Sequence, residues 1–407
     1  VGSSCRTTVA VVDSGIQGTQ TDLADKILVA ESRAFHAGTG VATGLDPLTP
    51  ACNHATRVAG VAAASADNAY QIAGMSWGAK LMSLKVFNDA DCLPTGSCPA
   101  SCGTSNAAMI SAINYAVTKQ NSPAAGKIVL NLSLGCAPDG SSADCPVTCP
   151  AAVQTALNNA VAAGIPVIIS AGNDGLAVNI PAMCAGTVGG SGILPVGATD
   201  SNGAIQSFSS RGPELSANGV VAPGKTVLTT DINNLTASAT GTSFSAPYVA
   251  GLAALILSAK PEFTPAQVQS TIRGGAVNYS VSSLGMGNPS APMSNTAGAG
   301  RINTARSLRL AIRGTLSDFA GDTMAIAYPN PFRPAQNGSV TFSVPVSLQG
   351  GPTTIKIYTV SGEMVREITG TTWDGKNREG TMVATGTYLF TVSTAIGLTR
   401  GRFSLIR

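Results

Sequence analysis

Apolar positions in this chain fall into two kinds of block. The first kind is short and unbroken. Thr7-Thr8-Val9-Ala10-Val11-Val12, residues 80–86, Lys127-Ile128-Val129-Leu130-Asn131-Leu132 and Ile165-Pro166-Val167-Ile168-Ile169-Ser170 each run apolar into a polar or glycine-rich turn. Runs of that length without a polar face predict strands covered on both sides. The second kind is longer, with helical spacing and many small residues: 54–64, 106–119, 151–163 and 298–312. Residues 248–257, Tyr-Val-Ala-Gly-Leu-Ala-Ala-Leu-Ile-Leu, are apolar all round and predict a buried helix, with Ser243 and Pro247 in its first turn. Thr264-Pro265 carries an N-terminal signal for one more helix.

From about residue 314 the pattern changes. Ser339-Val340-Thr341-Phe342-Ser343-Val344, Thr354-Ile355-Lys356-Ile357-Tyr358 and Gly386-Thr387-Tyr388-Leu389-Phe390-Thr391-Val392 alternate, with Gly, Asn and Pro between them. Such spacing predicts a small antiparallel sandwich. The expected division is a domain at 1–313, a linker at 314–326 and a β domain at 327–407.

Composition narrows the function classes. The chain has 407 residues, 44% hydrophobic and 11% charged, with a net charge of +3 and interspersed signs. No basic stripe points to nucleic acid. No apolar run approaches the ~20 residues of a transmembrane helix. The chain opens inside a folded-looking region, so any signal or pro-segment is expected to lie outside it. Nine cysteines, at 5, 52, 92, 98, 102, 136, 145, 149 and 184, point to an oxidising compartment. The Cys98-x-x-x-Cys102 and Cys145-x-x-x-Cys149 spacings read as metal sites or as disulfides, and the lack of nearby histidine favours disulfides. Nine is odd, so at least one thiol is free or pairs outside the chain. The insertion at 88–103 holds three cysteines and is expected to be stapled to itself.

Four polar residues stand where the pattern changes. Asp13 follows the first strand, and Asn173 follows the strand ending at Ser170. His54 opens a helix of small residues, and Ser243 opens the buried helix. His36 lies in a stretch without periodicity and is expected in a surface loop. Alone, each has an ordinary reading: a turn aspartate, a turn asparagine, a packed histidine, a helix cap. Together they hold a nucleophile, a base of near-neutral pKa, a carboxylate and an amide.

Gly241-Thr242-Ser243-Phe244-Ser245-Ala246-Pro247 resembles the Gly-Thr-Ser-x-Ser-Ala-Pro signature of subtilisin-like serine proteases. Asp13-Ser14-Gly15, Asn53-His54-Ala55-Thr56-Arg57-Val58-Ala59-Gly60 and Ala171-Gly172-Asn173 resemble that family's other motifs, in its order, across roughly 7–312. The resemblance implies an α/β fold with a mostly parallel sheet and helices on both faces. It implies a secreted serine endopeptidase acting on protein or peptide substrates. Ser243 would be nucleophile, His54 general base, Asp13 its orienting carboxylate, and Asn173 with the Ser243 N–H the oxyanion hole. Ser133-Leu134-Gly135 would pair with an extended substrate, opposite Ala171-Gly172, and residues 103–106 would form a further wall. Asp22, the Asn68 side chain and the carbonyls of Tyr70 and Ile72 would supply a structural calcium site. Two departures stand beside the base: Ala55 for a glycine, and Arg57 for a second histidine, where its charge would depress basicity. The other reading is an inactive subtilisin-like scaffold that binds surfaces.

Residues 176–193, which should shape the specificity pocket, follow no family pattern, and their few charges suggest no demand for a charged substrate side chain. Tyr328-Pro329-Asn330-Pro331-Phe332 and Trp373-Asp374-Gly375-Lys376 resemble the immunoglobulin-like domain of flagellar hook-capping proteins and C-terminal sorting domains of bacterial type IX secretion. That implies a bacterial protein, secreted or at the cell surface, whose C-terminal domain contacts the surface or the secretion machinery.

Overall fold

The computed structural model describes residues 6–36, 40–41, 45–92, 96–98, 102–136, 145–277, 295–316, 325–345, 348 and 352–407. It divides into two compact units between Thr315 and Leu316.

The first unit is built on an eight-stranded sheet. Its strands are β1 (Thr7–Asp13), β2 (Arg33–His36), β3 (Gly40–Val41), β4 (Lys80–Lys85), β5 (Lys127–Leu132), β6 (Val167–Ser170), β7 (Ile193–Thr199) and β8 (Val220–Pro223). Their order is β3-β2-β4-β1-β5-β6-β7-β8, all parallel neighbours except the antiparallel β2–β3 edge. β1 lies central, and its unbroken apolar run is explained by its neighbours: Val9 and Val11 pack into one core, Ala10 and Val12 into another on the opposite face. A separate antiparallel pair, β9 (Val227–Thr230) and β10 (Thr236–Ala239), follows β8.

Helix α1 (His54–Ala63) belongs to the first face with α5 (Thr242–Ala259) and α6 (Pro265–Gly275); α2 (Asn106–Lys119), α3 (Ala151–Ala162) and the short α4 (Pro213–Asn218) belong to the second. Among the described residues α5 is the one helix long and apolar enough to cross a membrane, and it is the core helix, with Ala246, Val249, Ala250, Leu252, Ala253 and Ile256 at 0% exposure. Thr264 starts α6 with a capping box closed by Gln267.

Two local expectations need correction. The helix expected over 298–312 covers Thr304–Arg313 and starts where the Asn303 side chain accepts from the Arg306 N–H at 3.0 Å; the residues before it are drawn off by Arg301, which bridges to Val221 and Val277. His36 ends strand β2 instead of lying in a loop, because β3 pairs with it.

The second unit holds two antiparallel sheets. One is β11 (Ala327–Tyr328), β12 (Val340–Phe342) and β15 (Thr372–Trp373). The other has the order β14 (Met364–Thr369), β13 (Thr354–Thr359), β16 (Gly386–Ser393), β17 (Leu398–Leu405). Phe332, Phe342, Trp373, Phe390 and Phe403 make one core between them, at exposures of 0–2%. Alternation is clean in β16, where Tyr388, Phe390 and Val392 turn inward.

Candidate active site

Parallel strands end together, so the turns after β1, β5 and β6 meet the first turns of α1 and α5. A cleft of about 610 Å³ opens there, and its lining includes Asp13, His54, Ser133, Leu134, Gly135, Gly172, Asn173 and Ser243. Residues 103–106 also line it.

Asp13 is 1% exposed at the end of β1. The Ser14 N–H donates to its Oδ1 at 2.6 Å, and His54 Nδ1 lies 3.0 Å from Oδ1 and 2.9 Å from Oδ2. A carboxylate can only accept, so Nδ1 carries the proton and Nε2 is left as the basic nitrogen. His54 is the first residue of α1, and its ring lies 5.4 Å from that of Phe244, next to Ser243. Burial, the largest influence on the imidazole, disfavours its charged form. The charge of Asp13 and its hydrogen bond together outweigh burial, Arg57 opposes them, and the net pKa lies above the ordinary 6.5.

Arg57 is not a bare charge. Its Nη2 donates to Asp231 Oδ2 at 2.6 Å, which offsets the influence expected of it. Ala55 is fully buried, and its N–H donates to Ser14 Oγ at 3.1 Å.

Ser243 is the second residue of α5, so its N–H has no acceptor within the helix. Pro247 lies in the second turn, not the first. It lacks the N–H that would reach the Ser243 carbonyl four residues back. Ser133 Oγ donates to that carbonyl instead, at 2.8 Å, and Asn131 Nδ2 donates to Ser133 Oγ at 3.0 Å. Ser243 Oγ in turn donates to the Ser133 carbonyl at 3.2 Å. The hydroxyl is therefore turned toward the Ser133 carbonyl.

Asn173 is exposed in the cleft, and its amide has one orientation. Oδ1 accepts from the Thr242 N–H at 2.8 Å and from Thr242 Oγ1 at 3.0 Å. Both are donors, so Nδ2 is the free end of the amide, and a Cβ on Gly241 would lie 3.4 Å from it. Gly241 has φ +147°, a backbone conformation that glycine adopts at little steric cost.

The substrate walls differ in part from expectation. Ala171 does not line the cleft: it is fully buried, its N–H bonded to Val196 and its carbonyl to the Asn179 N–H. Its place is taken by residues for which the sequence carried no signal. Asn179 lies at 6% exposure against Gly172, whose missing Cβ would fall 2.4 Å from the Asn179 Cγ. Asn179 Nδ2 donates to Asp174 Oδ2 at 2.9 Å, so a carboxylate stands on the rim.

Asp22, Asn68, Tyr70 and Ile72 come together but bind one another. Asp22 Oδ1 accepts from Asn68 Nδ2 at 2.8 Å, and Oδ2 accepts from the Ile72 N–H at 3.0 Å. The Asn68 oxygen that a calcium ion would need accepts from the Tyr70 N–H at 3.2 Å. In this arrangement Asn68 offers Asp22 a donor, so the set as it stands does not fit a hard cation.

The cysteines form disulfides, Cys52–Cys98, Cys92–Cys102, Cys136–Cys145 and Cys149–Cys184; Cys5 lies outside the described residues. The insertion at 88–103 is stapled to itself only by Cys92–Cys102. Its other bond ties it to Cys52, two residues before His54.

Comparison with known proteins points one way. The profile of the Subtilase family, Peptidase_S8, matches residues 5–300. Subtilisin DY of Bacillus licheniformis is 35% identical over 275 residues, 66% of this chain and 83% of that protein. The extracellular protease of Xanthomonas campestris pv. campestris is 31% identical over 339 residues, 76% of this chain and 52% of that protein. Subtilisin E of Bacillus subtilis is 33% identical over 273 residues, 66% of this chain and 60% of that protein. The chain thus spans between about half and five sixths of the length of these relatives. A protease of Pseudoalteromonas arctica superposes with a TM-score of 0.56 at 25% identity, over 76% of this chain and 91% of that one. A cold-adapted subtilisin-like serine proteinase superposes with a TM-score of 0.52 at 21% identity, over 70% and 88%, which speaks for the fold.

Proposed function

Because the chain belongs to the subtilase family of serine endopeptidases, we propose that it cleaves peptide bonds through an acyl-enzyme formed on Ser243. Ser243 Oγ leaves the Ser133 carbonyl, gives its proton to His54 Nε2 and attacks the scissile carbonyl. His54 then protonates the leaving amine, and water repeats the cycle on the ester. Asp13 keeps the imidazole in the Nδ1–H tautomer and stabilises it once charged. Asn173 Nδ2 and the Ser243 N–H receive the oxyanion. An extended substrate lies along Ser133-Leu134-Gly135, held by main-chain hydrogen bonds. Asp174 on the rim favours a basic side chain there, against the expectation drawn from composition.

The observation that carries this reading is the locked pair of orientations in one cleft. Asp13 fixes the imidazole so that Nε2 is its free basic nitrogen, and Thr242 fixes the Asn173 amide so that its N–H end is free. Labelling the full chain with a fluorophosphonate tests it: Ser243 becomes phosphonylated, and Ser243→Ala is silent. In subtilisin, loss of the nucleophile costs about 10⁶ in kcat; a Ser243→Ala loss under about tenfold refutes the assignment.

The protein acts outside the cell, where its disulfides persist. The C-terminal unit, whose motifs resemble bacterial sorting domains, serves in anchoring or sorting.

A further inference from the structure

We propose that the two disulfides beside His54 form a thiol-reactive modification site, in which a small aliphatic thiol caps Cys98 and drives re-pairing to Cys52–Cys102. This goes beyond the proteolytic reading and does not depend on it.

The four sulfurs are arranged in two pairs of unlike partners. Cys52 and Cys92 are buried, at 0% and 6% exposure. Their partners, Cys98 and Cys102, line the cleft. The two bonds also touch: Cys52 Sγ lies 3.9 Å from Cys102 Sγ, and the sulfurs of Cys52, Cys98 and Cys102 lie within 4.8 Å of one another.

That geometry orders the exchange. A thiolate attacks an accessible disulfide sulfur and expels its partner. Attack at Cys98 Sγ forms the mixed disulfide there, breaks Cys52–Cys98 and leaves the electron pair on Cys52 Sγ. The buried Cys52 thiolate has a disulfide sulfur in contact. It attacks Cys102 Sγ, forms Cys52–Cys102, breaks Cys92–Cys102 and leaves a thiolate on Cys92. Attack by Cys92 on the capped Cys98 then forms Cys92–Cys98 and returns the thiol. No net oxidation or reduction occurs when the cycle closes.

Cys52 belongs to the turn that carries the base. The Cys52 carbonyl accepts from Ser14 Oγ at 3.2 Å, and the Asn53 N–H donates to the Gly96 carbonyl at 3.0 Å. Re-pairing moves the tether of this turn from Cys98 to Cys102, next to the 103–106 wall. The site is thus placed where small thiols in the medium reach the catalytic cleft.

The test uses the full chain as Ser243→Ala, which prevents self-cleavage. It is exposed to a graded series of reduced glutathione, quenched with acid and mapped as non-reduced peptides. The expected result is a peptide pair joined through Cys52–Cys102, accompanied by glutathione on Cys98 or by Cys92–Cys98. Capping or reduction of Cys98 with Cys92–Cys102 intact and no Cys52–Cys102 at any dose overturns the proposal. A second chain, Cys92→Ser with Cys98→Ser, isolates the new pair. Cys52–Cys102 is expected in the protein as purified; two additional titratable thiols in a folded chain refute it. If that variant does not fold, the glutathione series alone decides.

Discussion

Ser133→Ala tests the reading of Pro247 most directly. In most helices the carbonyl of residue i is satisfied by the N–H of i+4. Pro247 cannot supply that group to Ser243, and Ser133 Oγ stands in at 2.8 Å. Ser133 is 2% exposed, so water does not readily replace it. Removing the hydroxyl takes that partner from two groups, the half-buried Ser243 carbonyl and the buried Asn131 Nδ2. An orphaned buried polar group costs about 1–3 kcal/mol, so the expected loss is ~2–4 kcal/mol after relaxation. Tm falls by about 2–4 °C per kcal/mol in chains of 150–250 residues, and by less in a unit of this length, which predicts a drop of several degrees. The deciding measurement is a double-mutant cycle with Pro247→Ala, read by urea midpoints on phosphonate-blocked enzyme. The alanine introduced there restores an N–H to the Ser243 carbonyl, so Ser133→Ala should cost at least ~1 kcal/mol less in that background. Additivity within about 0.5 kcal/mol would mean that the Ser133 hydroxyl does not replace the missing helix bond, and the account of the Ser243 turn would fail.

The acid limb of kcat/KM is expected above pH 6.5, because the Asp13 pair raises the His54 pKa and catalysis needs the neutral ring. The same shift makes imidazolium stabilising: its contribution is full below 6.5 and is lost as pH rises through the folded-state value. A pH–rate profile whose limb lies below 6.5 contradicts both. Asp231→Asn keeps the side-chain shape but leaves the Arg57 charge uncompensated, so at low salt the limb should move down, with less movement at high salt; an upward shift in the profile speaks against this pairing. Chelation with EDTA should leave Tm unchanged within about 1 °C as far as the Asp22 turn is concerned, because Asn68 and the Ile72 N–H already occupy its carboxylate. A calcium-dependent rise in Tm that Asp22→Asn abolishes would show the turn to be a cation site.

Strands β1, β4, β5 and β6 were legible in the sequence because their burial is extreme. A run such as 7–12, covered on both faces, leaves no room for polar positions, and β1 covers it with one residue to spare. The strands of the second unit announced themselves by alternation, as Tyr388, Phe390 and Val392 did. The candidate site was legible as four motifs, since Asp13, His54, Asn173 and Ser243 each sit where a strand ends or a helix begins. What the linear order could not state were relations across the fold. Arg57 does weaken the base, as its charge suggested, but its ion pair with Asp231, 174 residues away, was not legible in the sequence. Pro247 looked like a first-turn proline, until the carbonyl it leaves open was met by Ser133. Asp22 and Asn68 have the right chemistry for a cation, but which amide atom faces the carboxylate depends on the Tyr70 N–H beside it. Ala171 carries a motif and lies behind the wall, whereas Asn179 carries none and lines it. Local burial pattern is a property of neighbours in the chain, so the residues alone determine it. Hydrogen-bond partners, charge compensation and cysteine pairing depend on which distant segments meet, and only the tertiary structure decides that.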